Sequence, residues 1–455
     1  MVGADLHELL AERAGEELVE IRAYHLDQAA LLLAELDGEA PAELRRDAAV
    51  ALETAGKRAL GREANRSARK LFLRAVELEP TLKRRHQAAR AASRLGDVAA
   101  VAREMERVRV EAHEQGDAMI EGRALTALAE VAMHREGDPE ATGALAEQAL
   151  AVLPEDDAEG RFYALMRLSD SAWFPGDAAG GERYAESAVE VARVAGRKDL
   201  EIDGLTRLAW LAGIQLELDR AESLVEREVE LAAESGSVVA RAKAQNSLAA
   251  LRRLQGDRPA ARAAFEEARR LYEETGIEKG AAWTLVFLGW IEWADGELER
   301  AEQCFREAGK RLAAVEDYSS LCEAKRGLAE VVLAQGKLEE AERLALEARE
   351  LVAPSDVSSI PTTTMTLGLV RAAQGRDEEA EALLREAVAG YEGTAFLALK
   401  PDPLAQLARF LRERGRDEEA DDVEAEIPPL PGGWLGRWDA AGLTSRADAS
   451  PAEIA

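Results

Sequence analysis

The chain repeats one pattern with a period of about 40 residues, a length typical of arrays built from helical units. This repeat constrains the fold more than any other feature. A turn glycine recurs at Gly96, Gly137, Gly176, Gly256, Gly296, Gly336, Gly375 and Gly415. Each interval between them is close to one period, except for a double step between Gly176 and Gly256. Leu216 keeps the register within that double step, so the repeat continues there without a glycine. Such an array predicts units that bury their apolar faces only against their neighbours.

The stretch from residue 282 to residue 316 shows the repeated unit most clearly. Residues at helical spacing lie on both sides of the turn glycine, with Leu285, Leu288 and Gly289 before it and Ala301, Phe305 and Ala308 after it. The pattern predicts two antiparallel helices joined by a turn, because both runs have the spacing of one helix face. With short turns, each helix is expected to have about 17 residues and a length of about 25 Å.

Three copies keep the order Ala, three residues, Phe, two residues, Ala, with the phenylalanines at Phe72, Phe265 and Phe305. This spacing, together with the Leu-Gly pair of the first helix, resembles the tetratricopeptide repeat. The resemblance implies an all-α fold, namely a right-handed α-solenoid of about ten helical hairpins whose first helices line the concave side. The period is longer than is usual for that repeat and approaches the period of HEAT arrays, so we attribute the additional residues to longer helices and links.

The pattern divides the chain into three parts. Residues 1–40 are expected to form a helical lead-in of two short helices, and residues 41–427 the superhelical array. Residues 428–455 are rich in Pro and Gly and are expected to be an extended or disordered tail. Within this tail, Trp434 and Trp438 are predicted to cap the last hairpin; a recognition motif is the alternative.

A second, narrower resemblance lies near the N-terminus. It is carried by Tyr24, His25, Leu26, Gln28 and Ala29, followed by Ala55, Gly56, Lys57 and Arg58. These residues resemble the junction that follows the ATPase module in bacterial AAA/STAND-type regulators, some of which are fused to class III adenylate or guanylate cyclases. The resemblance implies a sensor or scaffold region, with an ATPase or cyclase module as a partner.

Charge is distributed unevenly along the chain, whose net charge is −29. Residues 55–95 carry 12 basic and 3 acidic side chains, whereas the rest of the chain is acidic. General nucleic-acid binding is therefore disfavoured by repulsion from phosphates. We call residues 55–95 the basic band. It is either a set of solvated helix faces or an electrostatic dock for an acidic partner, including the acidic repeats of this chain. The candidate docking residues are Arg62, Arg66, Arg69, Lys70, Lys83, Arg84 and Arg85.

Motifs for catalysis, cofactors or metals do not stand out. The string around Gly56 and Lys57 lacks the first glycine and the hydroxyl residue of a phosphate-binding loop. The five histidines are scattered, and Cys304 and Cys322 are too few for a cysteine zinc cage. We therefore expect no cofactor, no metal and no enzyme activity. Since no stretch approaches about 18 apolar residues, we also expect no membrane segment and a cytoplasmic location.

The few aromatic side chains cluster in the first helices. In the unit described above, Trp283, Val286, Trp290 and Trp293 form one helix face; comparable positions in earlier units hold Tyr163, Met166, Trp173 and Phe174, and Trp210. These side chains either pack between adjacent first helices or line a concave groove for a peptide or partner helix. Lys243, Asn246 and Arg326 form an incomplete set for binding the terminus of a partner chain.

The sequence thus predicts a regulatory protein-interaction scaffold that binds a protein or peptide on its concave surface. A ligand-sensing array that controls an ATPase or nucleotide cyclase is the first alternative. An enzyme with an unrecognised site is the second. A closed aromatic pocket would favour sensing, whereas an open channel would favour protein binding.

Overall fold

The structure is a computed structural model that describes the backbone of residues 2–428 and the side chains of residues 18–428. Throughout that part the regular secondary structure is helical. The helices are α1 (Val2–Asp37), α2 (Ala42–Gly61), α3 (Asn65–Leu78), α4 (Leu82–Arg94), α5 (Val98–Gln115), α6 (Ala118–Val131, continued by a π-helical segment, Ala132–Glu136), α7 (Pro139–Val152), α8 (Ala158–Trp173), α9 (Ala178–Val194), α10 (Lys198–Ile214), α11 (Leu218–Ser235), α12 (Val238–Leu254), α13 (Arg258–Thr275), α14 (Glu278–Ala294), α15 (Leu298–Ala314), α16 (Tyr318–Ala334), α17 (Leu338–Leu351), α18 (Ser359–Ala373), α19 (Asp377–Ala389), α20 (Pro401–Arg412) and α21 (Asp417–Ala425).

Helices α2 to α21 pair in chain order into antiparallel hairpins, and each hairpin packs on the next. We number these hairpins from the α2/α3 pair to the α20/α21 pair. The all-α solenoid predicted from the repeat is confirmed, and α14 and α15 each have the expected 17 residues. Three points stay predictions: the number of tetratricopeptide-like repeats, the hand of the superhelix and the boundaries of the three parts of the chain.

Two expectations at the ends of the chain have different outcomes. The lead-in is one continuous helix, α1, instead of two short helices. The prediction of a break was wrong because Gly15 lies among strong helix formers, and one glycine costs a helix only about 1 kcal/mol. The predicted tail lies outside the described residues from residue 429 on, and so do Trp434 and Trp438.

The hairpin turns explain the recurring glycine. Gly296 has φ +81° and Gly336 has φ +77°, a left-handed conformation that costs other residues about 1–2 kcal/mol. Leu216, which replaces the glycine in the double step, adopts the same conformation with φ +60°. The geometry of the turn is therefore set by the repeat even where glycine is missing.

Packing around Phe305 explains the small residues of the repeat. A Cβ atom added to Gly289 would lie 2.9 Å from the Phe305 ring, and one added to Gly327 of the following hairpin would lie 2.3 Å from it. Phe305 is 1% exposed, so its ring fills the space between two first helices and one second helix. Glycine is required where those helices approach the ring.

Successive turns of the superhelix touch each other. In five places, residues at or next to the turn of one hairpin contact another hairpin five positions later in the chain, either at the start of its first helix or in a link beside it. We call these contacts the inter-turn junctions, and they join Glu63 to Val238, Gly96 to Lys279, Gly137 to Ala353, Phe174 to Val357, and Ile214 to Ala398. One superhelical turn therefore takes about five hairpins, and the array is two stacked turns.

Turn glycines at the junctions are expected to tolerate substitution less well than other turn glycines. A Cβ atom on Gly137 would lie 2.5 Å from the Cβ atom of Ala353, whereas one on Gly336 would meet nothing within 4 Å. Both glycines have positive φ. Gly137→Ala should therefore lose about 1–3 kcal/mol more than Gly336→Ala, since only the former is also overpacked. Urea denaturation of the two variants checks this prediction, and equal midpoints would contradict it.

Candidate binding surface on the inner face of the array

The first helices of the hairpins occupy the inner side of the superhelix. Most consecutive first helices contact each other, as α10 and α12 do, whereas consecutive second helices in the described part have no comparable contacts. Because the inner side of a curved array is the shorter one, elements on that side pack more closely. Side chains that point away from the hairpin interior on these helices therefore face the axis of the superhelix.

One side chain from each of five consecutive hairpins forms an inner row. Its members follow each other at steps of one repeat period: Tyr163, Asp203, Lys243, Trp283 and Glu323. Because of this spacing, these residues occupy equivalent positions on α8, α10, α12, α14 and α16. With neighbouring helices about 8–10 Å apart, the row presents a ring or a charge at regular intervals.

Members of the inner row bind each other across the hairpin boundaries. The Tyr163 hydroxyl donates to Asp203 Oδ2 over 3.2 Å, and Lys243 also donates to the Asp203 carboxylate. Tyr163 nevertheless keeps 37% exposure. Burial of this hydroxyl among protein atoms, with Asp203 nearby, raises its pKa well above the ordinary value. Tyr163 is therefore a neutral side chain whose hydroxyl is hydrogen-bonded among protein atoms, while part of the residue stays accessible to solvent.

A group of buried charges lies deeper between the two superhelical turns. Asp170, 1% exposed, pairs with Arg207 and, over 3.4 Å, with Arg167. Burial opposes ionisation of Asp170, but these two guanidinium groups together hold its pKa below the ordinary value. Asp317, which is fully buried, pairs with Lys279 over 2.9 Å. The first set joins α8 to α10 and the second joins α14 to the start of α16, and Lys279 also acts electrostatically on Asp170.

The predicted aromatic residues of the fourth and fifth hairpins form a packed cluster. The Trp173 ring lies 4.3 Å from Trp210, 5.0 Å from Phe174 and 5.0 Å from Phe396, measured between centroids. Trp173 is 4% exposed, and Met166 is also buried. Trp173 and Met166 are therefore core residues in this structure: the link before α20 brings Phe396 against Trp173, and Met166 packs on Phe162 and Leu200. The expectation of an open aromatic row is wrong for these two.

The tryptophans of the seventh hairpin are partly buried instead of forming one exposed row. Trp290 lies 4.9 Å from the Phe305 ring and donates to Glu323 Oε1 over 2.9 Å. Trp293 lies 6.2 Å from Trp290, and its indole N–H finds no acceptor among the described residues. Val286 is fully buried, so it too is a core residue and not a contact for a partner.

The third tryptophan of this hairpin, Trp283, belongs to the inner row. Its ring packs edge to face on Phe287, with 5.1 Å between the centroids. It is partly buried against the core of its hairpin. Trp283 and Trp210 thus keep accessible ring surface, and their role in binding a partner stays a prediction.

The incomplete set for binding a chain terminus is engaged within the protein. Arg326 is 2% exposed and pairs with Glu323 and Glu330, and its guanidinium lies 4.7 Å from the Trp290 centroid. Lys243 is bound to Asp203 as described above. Both cations are therefore neutralised by side chains of the array, and this interpretation of the sequence is not supported.

Most of the basic band is also paired internally. Arg69 pairs with Asp97 over 2.5 Å, and Arg84 pairs with Glu79 over 2.5 Å. Further partners within the chain are bound by Arg62, Arg66, Lys83 and Arg85. Lys70 is exposed and has no ion pair with any residue from 18 to 428. The pair between Arg66 and Glu278, 212 residues apart, fits the alternative in which the band docks acidic repeats of this chain.

The two cysteines and two buried histidines have pKa values shifted away from those of a nucleophile or base at neutral pH. Burial raises the pKa of the Cys304 thiol to about 11 and raises that of Cys322 well above its ordinary value. Burial lowers the pKa of His134 to about 4 and that of His86 to about 3. Between residues 18 and 428, no three His, Cys, Asp or Glu residues cluster in a way that could hold a metal ion. No helix within the described range is long and apolar enough to cross a bilayer.

The sequence interpretation missed several inner residues that the structure brings together. Asp203, Asp170 and Arg207 were not singled out, because charged residues are abundant in every helix of the chain. The signal that finds Asp203 is its spacing of one repeat period from both Tyr163 and Lys243. Arg207 likewise lies one repeat period after Arg167.

The comparisons with known proteins agree with this architecture. Residues 206–428, just under half of the chain, match the family model described as the MalT-like TPR region. No curated protein sequence matches the chain. A solved structure of a Rap protein complexed with competence and sporulation factor aligns with a TM-score of 0.58 at 10% identity, covering 76% of this chain and 96% of that chain.

Two further solved structures align less closely. The apo form of RapI gives a TM-score of 0.43 at 15% identity, covering 61% of this chain and 97% of that chain. A STAND protein with a tetratricopeptide repeat sensor from Pyrococcus horikoshii gives 0.43 at 14% identity, covering 83% of this chain and 54% of that chain. At such identities the likeness to the Rap protein concerns the fold alone, and the two weaker alignments support no conclusion.

Proposed function

We propose that this chain, which is a tetratricopeptide repeat array, is a regulatory binding module that holds an extended peptide or partner segment on its inner face. Helical repeat arrays of this type are generally non-catalytic, and the match to the MalT-like TPR region supports a role in interaction or sensing. The solved Rap protein is complexed with competence and sporulation factor, which is a precedent for a bound factor on this fold.

The inner row is the observation that carries the proposal. An extended chain advances about 3.3 Å per residue, so about three of its residues pass each first helix. The row would then offer an aromatic ring or a charge to every third residue of the partner. Tyr163, with 37% exposure, and the partly buried Trp283 would act as anchors, because rings supply large contact area at low entropic cost.

A displayed library of random peptides tests this proposal directly. We expect the intact array to enrich a set of peptides from this library. The affinity of the Trp283→Ala variant for these peptides, measured by fluorescence polarisation, should be roughly tenfold or more lower than that of the wild type. The double variant Trp290→Ala with Trp293→Ala should abolish binding while thermal unfolding stays cooperative. Trp290 packs on Phe305, so unfolding of the double variant would show only that these two tryptophans belong to the core. In that case the effect of Trp283→Ala on peptide affinity decides whether peptides bind on the inner face.

Tyr24→Ala is the matched control for these aromatic variants. Tyr24 lies on α1, away from the inner row, and is 60% exposed. Its removal should leave the affinity of the enriched peptides unchanged. Peptides that bind the Trp283 variant as tightly as the wild type would contradict binding on the inner face.

The alternative of a sensing array coupled to an ATPase or cyclase module is favoured by a different observation. The outward face of α1 exposes a group of apolar side chains: Leu18, Ile21, Tyr24, Leu32 and Leu36. Leu36 is 78% exposed. Terminal units of a solenoid need a polar outer face to stay soluble, so this apolar face is suited to contact with another module. In that case a ligand on the inner face would act by changing the packing of the two superhelical turns.

A further inference from the structure

The five inter-turn junctions differ in the chemistry that holds them. The junction made by the first hairpin depends on charged side chains near the surface, and the one made by the third combines an exposed ion pair with the packing of Gly137 on Ala353. Those made by the fourth and fifth hairpins depend on backbone hydrogen bonds and aromatic packing. This difference matters for access to the inner face, because the stacked turns limit lateral entry to it.

Glu63 makes the most specific contact of the first junction. Its Oε2 atom accepts hydrogen bonds from the backbone N–H groups of Val238 over 2.8 Å and Val239 over 3.1 Å, and its Oε1 atom contacts the Ser237 hydroxyl. These groups are the N-terminus of α12, where a carboxylate is favoured by the free N–H groups and the helix dipole. Glu63 thus caps a helix of another superhelical turn.

Glu63 has φ +58°, the left-handed conformation of this hairpin turn. The charged groups beside its carboxylate are open to solvent. The neighbouring ion pair between Arg66 and Glu278 has side chains that are 59% and 36% exposed. Exposed pairs of this kind contribute little and are weakened by salt.

The third junction has an ion pair at its exposed edge, but there Gly137 also packs on Ala353 and the Ser355 hydroxyl donates to the Gly137 carbonyl over 3.4 Å. Arg135 pairs with Glu316 over 2.8 Å, and these side chains are 41% and 30% exposed. His134 Nδ1 lies 3.2 Å from the Ser319 hydroxyl. Burial and the nearby Lys279 lower the pKa of His134 to about 4, so the imidazole is neutral and adds no ion pair. The exposed arginine and glutamate therefore provide the charge contact.

The fourth and fifth junctions are apolar and closed. The Val357 N–H donates to the Phe174 carbonyl over 3.2 Å, and the Ala398 N–H donates to the Ile214 carbonyl over 2.9 Å. Phe396 is fully buried against Trp173. Such contacts are insensitive to screening by salt.

We propose that the two superhelical turns part at the ionic junction near Glu63 while the aromatic junction at Trp173 and Phe396 acts as the hinge. Opening widens access to the inner row from the side of the first and sixth hairpins. That this opening admits a partner to the inner row rests on the proposed function. The motion itself belongs to the array alone and is measured without any partner.

Hydrogen exchange and small-angle scattering of the wild-type chain test the inference. Raising sodium chloride from about 0.1 M to about 1 M shortens the screening length to about 3 Å. We expect the radius of gyration to rise and amide exchange to accelerate several-fold in residues 236–242 and 276–282. Exchange at Val357 and Ala398 should stay unchanged. An equal acceleration at all junctions, or an unchanged radius of gyration, would overturn the hinge.

A double variant tests the same inference at low salt. Glu63→Gly removes the capping carboxylate but keeps a residue suited to positive φ, and Arg66→Gln removes the neighbouring cation. Together they should reproduce the larger radius of gyration at about 0.1 M salt. The matched control, Glu190→Gln with Arg193→Gln, removes an exposed pair within α9 and should change neither measurement.

The outcomes separate the hinge from the proposed function. If the double variant accelerates exchange only in residues 237–240 and leaves the radius of gyration unchanged, Glu63 is a local helix cap and the hinge is wrong. If the turns part but no displayed peptide depends on Trp283, binding on the inner face fails while the hinge stands.

Discussion

Arg326→Ala is expected to destabilise the array by about 3–5 kcal/mol, the largest effect of any single substitution proposed. Arg326 is 2% exposed and donates to Glu323 Oε2 over 2.8 Å and to Glu330 Oε1 over 3.1 Å. Its removal leaves two carboxylates without their cation, and Glu330 is only 5% exposed. The variant also loses the contact of the guanidinium with the Trp290 ring. Urea denaturation followed by circular dichroism measures the loss.

The control for this prediction is an exposed arginine on the same hairpin. Arg343 pairs with Glu347 over 2.5 Å within α17 and is 57% exposed. Arg343→Ala should cost at most about 0.5 kcal/mol. Arg326→Lys should fall between the two, because an ammonium keeps the charge but cannot reproduce the geometry of the guanidinium. Equal losses for Arg326→Ala and Arg343→Ala would show that the buried network contributes nothing beyond an exposed pair.

Glu228→Gln is expected to remove a pH dependence of stability on the order of 3 kcal/mol. Glu228 on α11 is fully buried, and the Thr206 hydroxyl of α10 donates to its Oε1 atom over 2.7 Å. Burial raises the pKa of Glu228 from 4.5 to about 7, although the hydrogen bonds from Thr206 and Ser247 oppose the shift. The folded state therefore holds this proton more tightly than the unfolded state does.

The sign of the effect follows from the two pKa values. Below pH 4.5 the carboxyl is protonated in both states. Between pH 4.5 and about 7 the unfolded chain has released the proton while the folded chain still holds it, so the free energy of unfolding falls as the pH rises across this range and levels off above it. A glutamine stays neutral throughout. Its stabilisation relative to the wild type should therefore be larger at about pH 8 than at about pH 5.

Thermal denaturation at both pH values measures this difference. Glu190→Gln is the control, since Glu190 lies on the exposed face of α9 with 61% of its side chain accessible. That variant should follow the pH dependence of the wild type. Parallel curves for the wild type and Glu228→Gln would show that the carboxyl ionises normally in the folded protein.

Much of the fold could be predicted because each hairpin is specified locally. The glycine register located every turn from Gly96 to Gly415, and it located the turn at Leu216 as well, where φ is +60°. The spacing around Phe305 predicted the two helices of its hairpin, because that spacing lies within one unit. The break in α1 was predicted wrongly, since a single glycine was given more weight than the helix formers around it.

The candidate site was predicted less well. The sequence singled out Tyr163 and Trp283, which belong to the inner row, but it also singled out Val286, Met166 and Trp173, which are buried. Periodicity assigns a residue to a helix face. It cannot tell whether that face meets solvent or another turn of the superhelix, because this depends on how many hairpins complete one turn.

The sequence by itself determined the helical hairpin, its period and the residues at each turn, because these depend on contacts within one unit and its neighbour. Only the tertiary structure decided that about five hairpins complete a superhelical turn, because small rotations between units accumulate along the array. That curvature brings Glu63 to the N-terminus of α12, 175 residues away, and sets the inner row and the junctions that surround it.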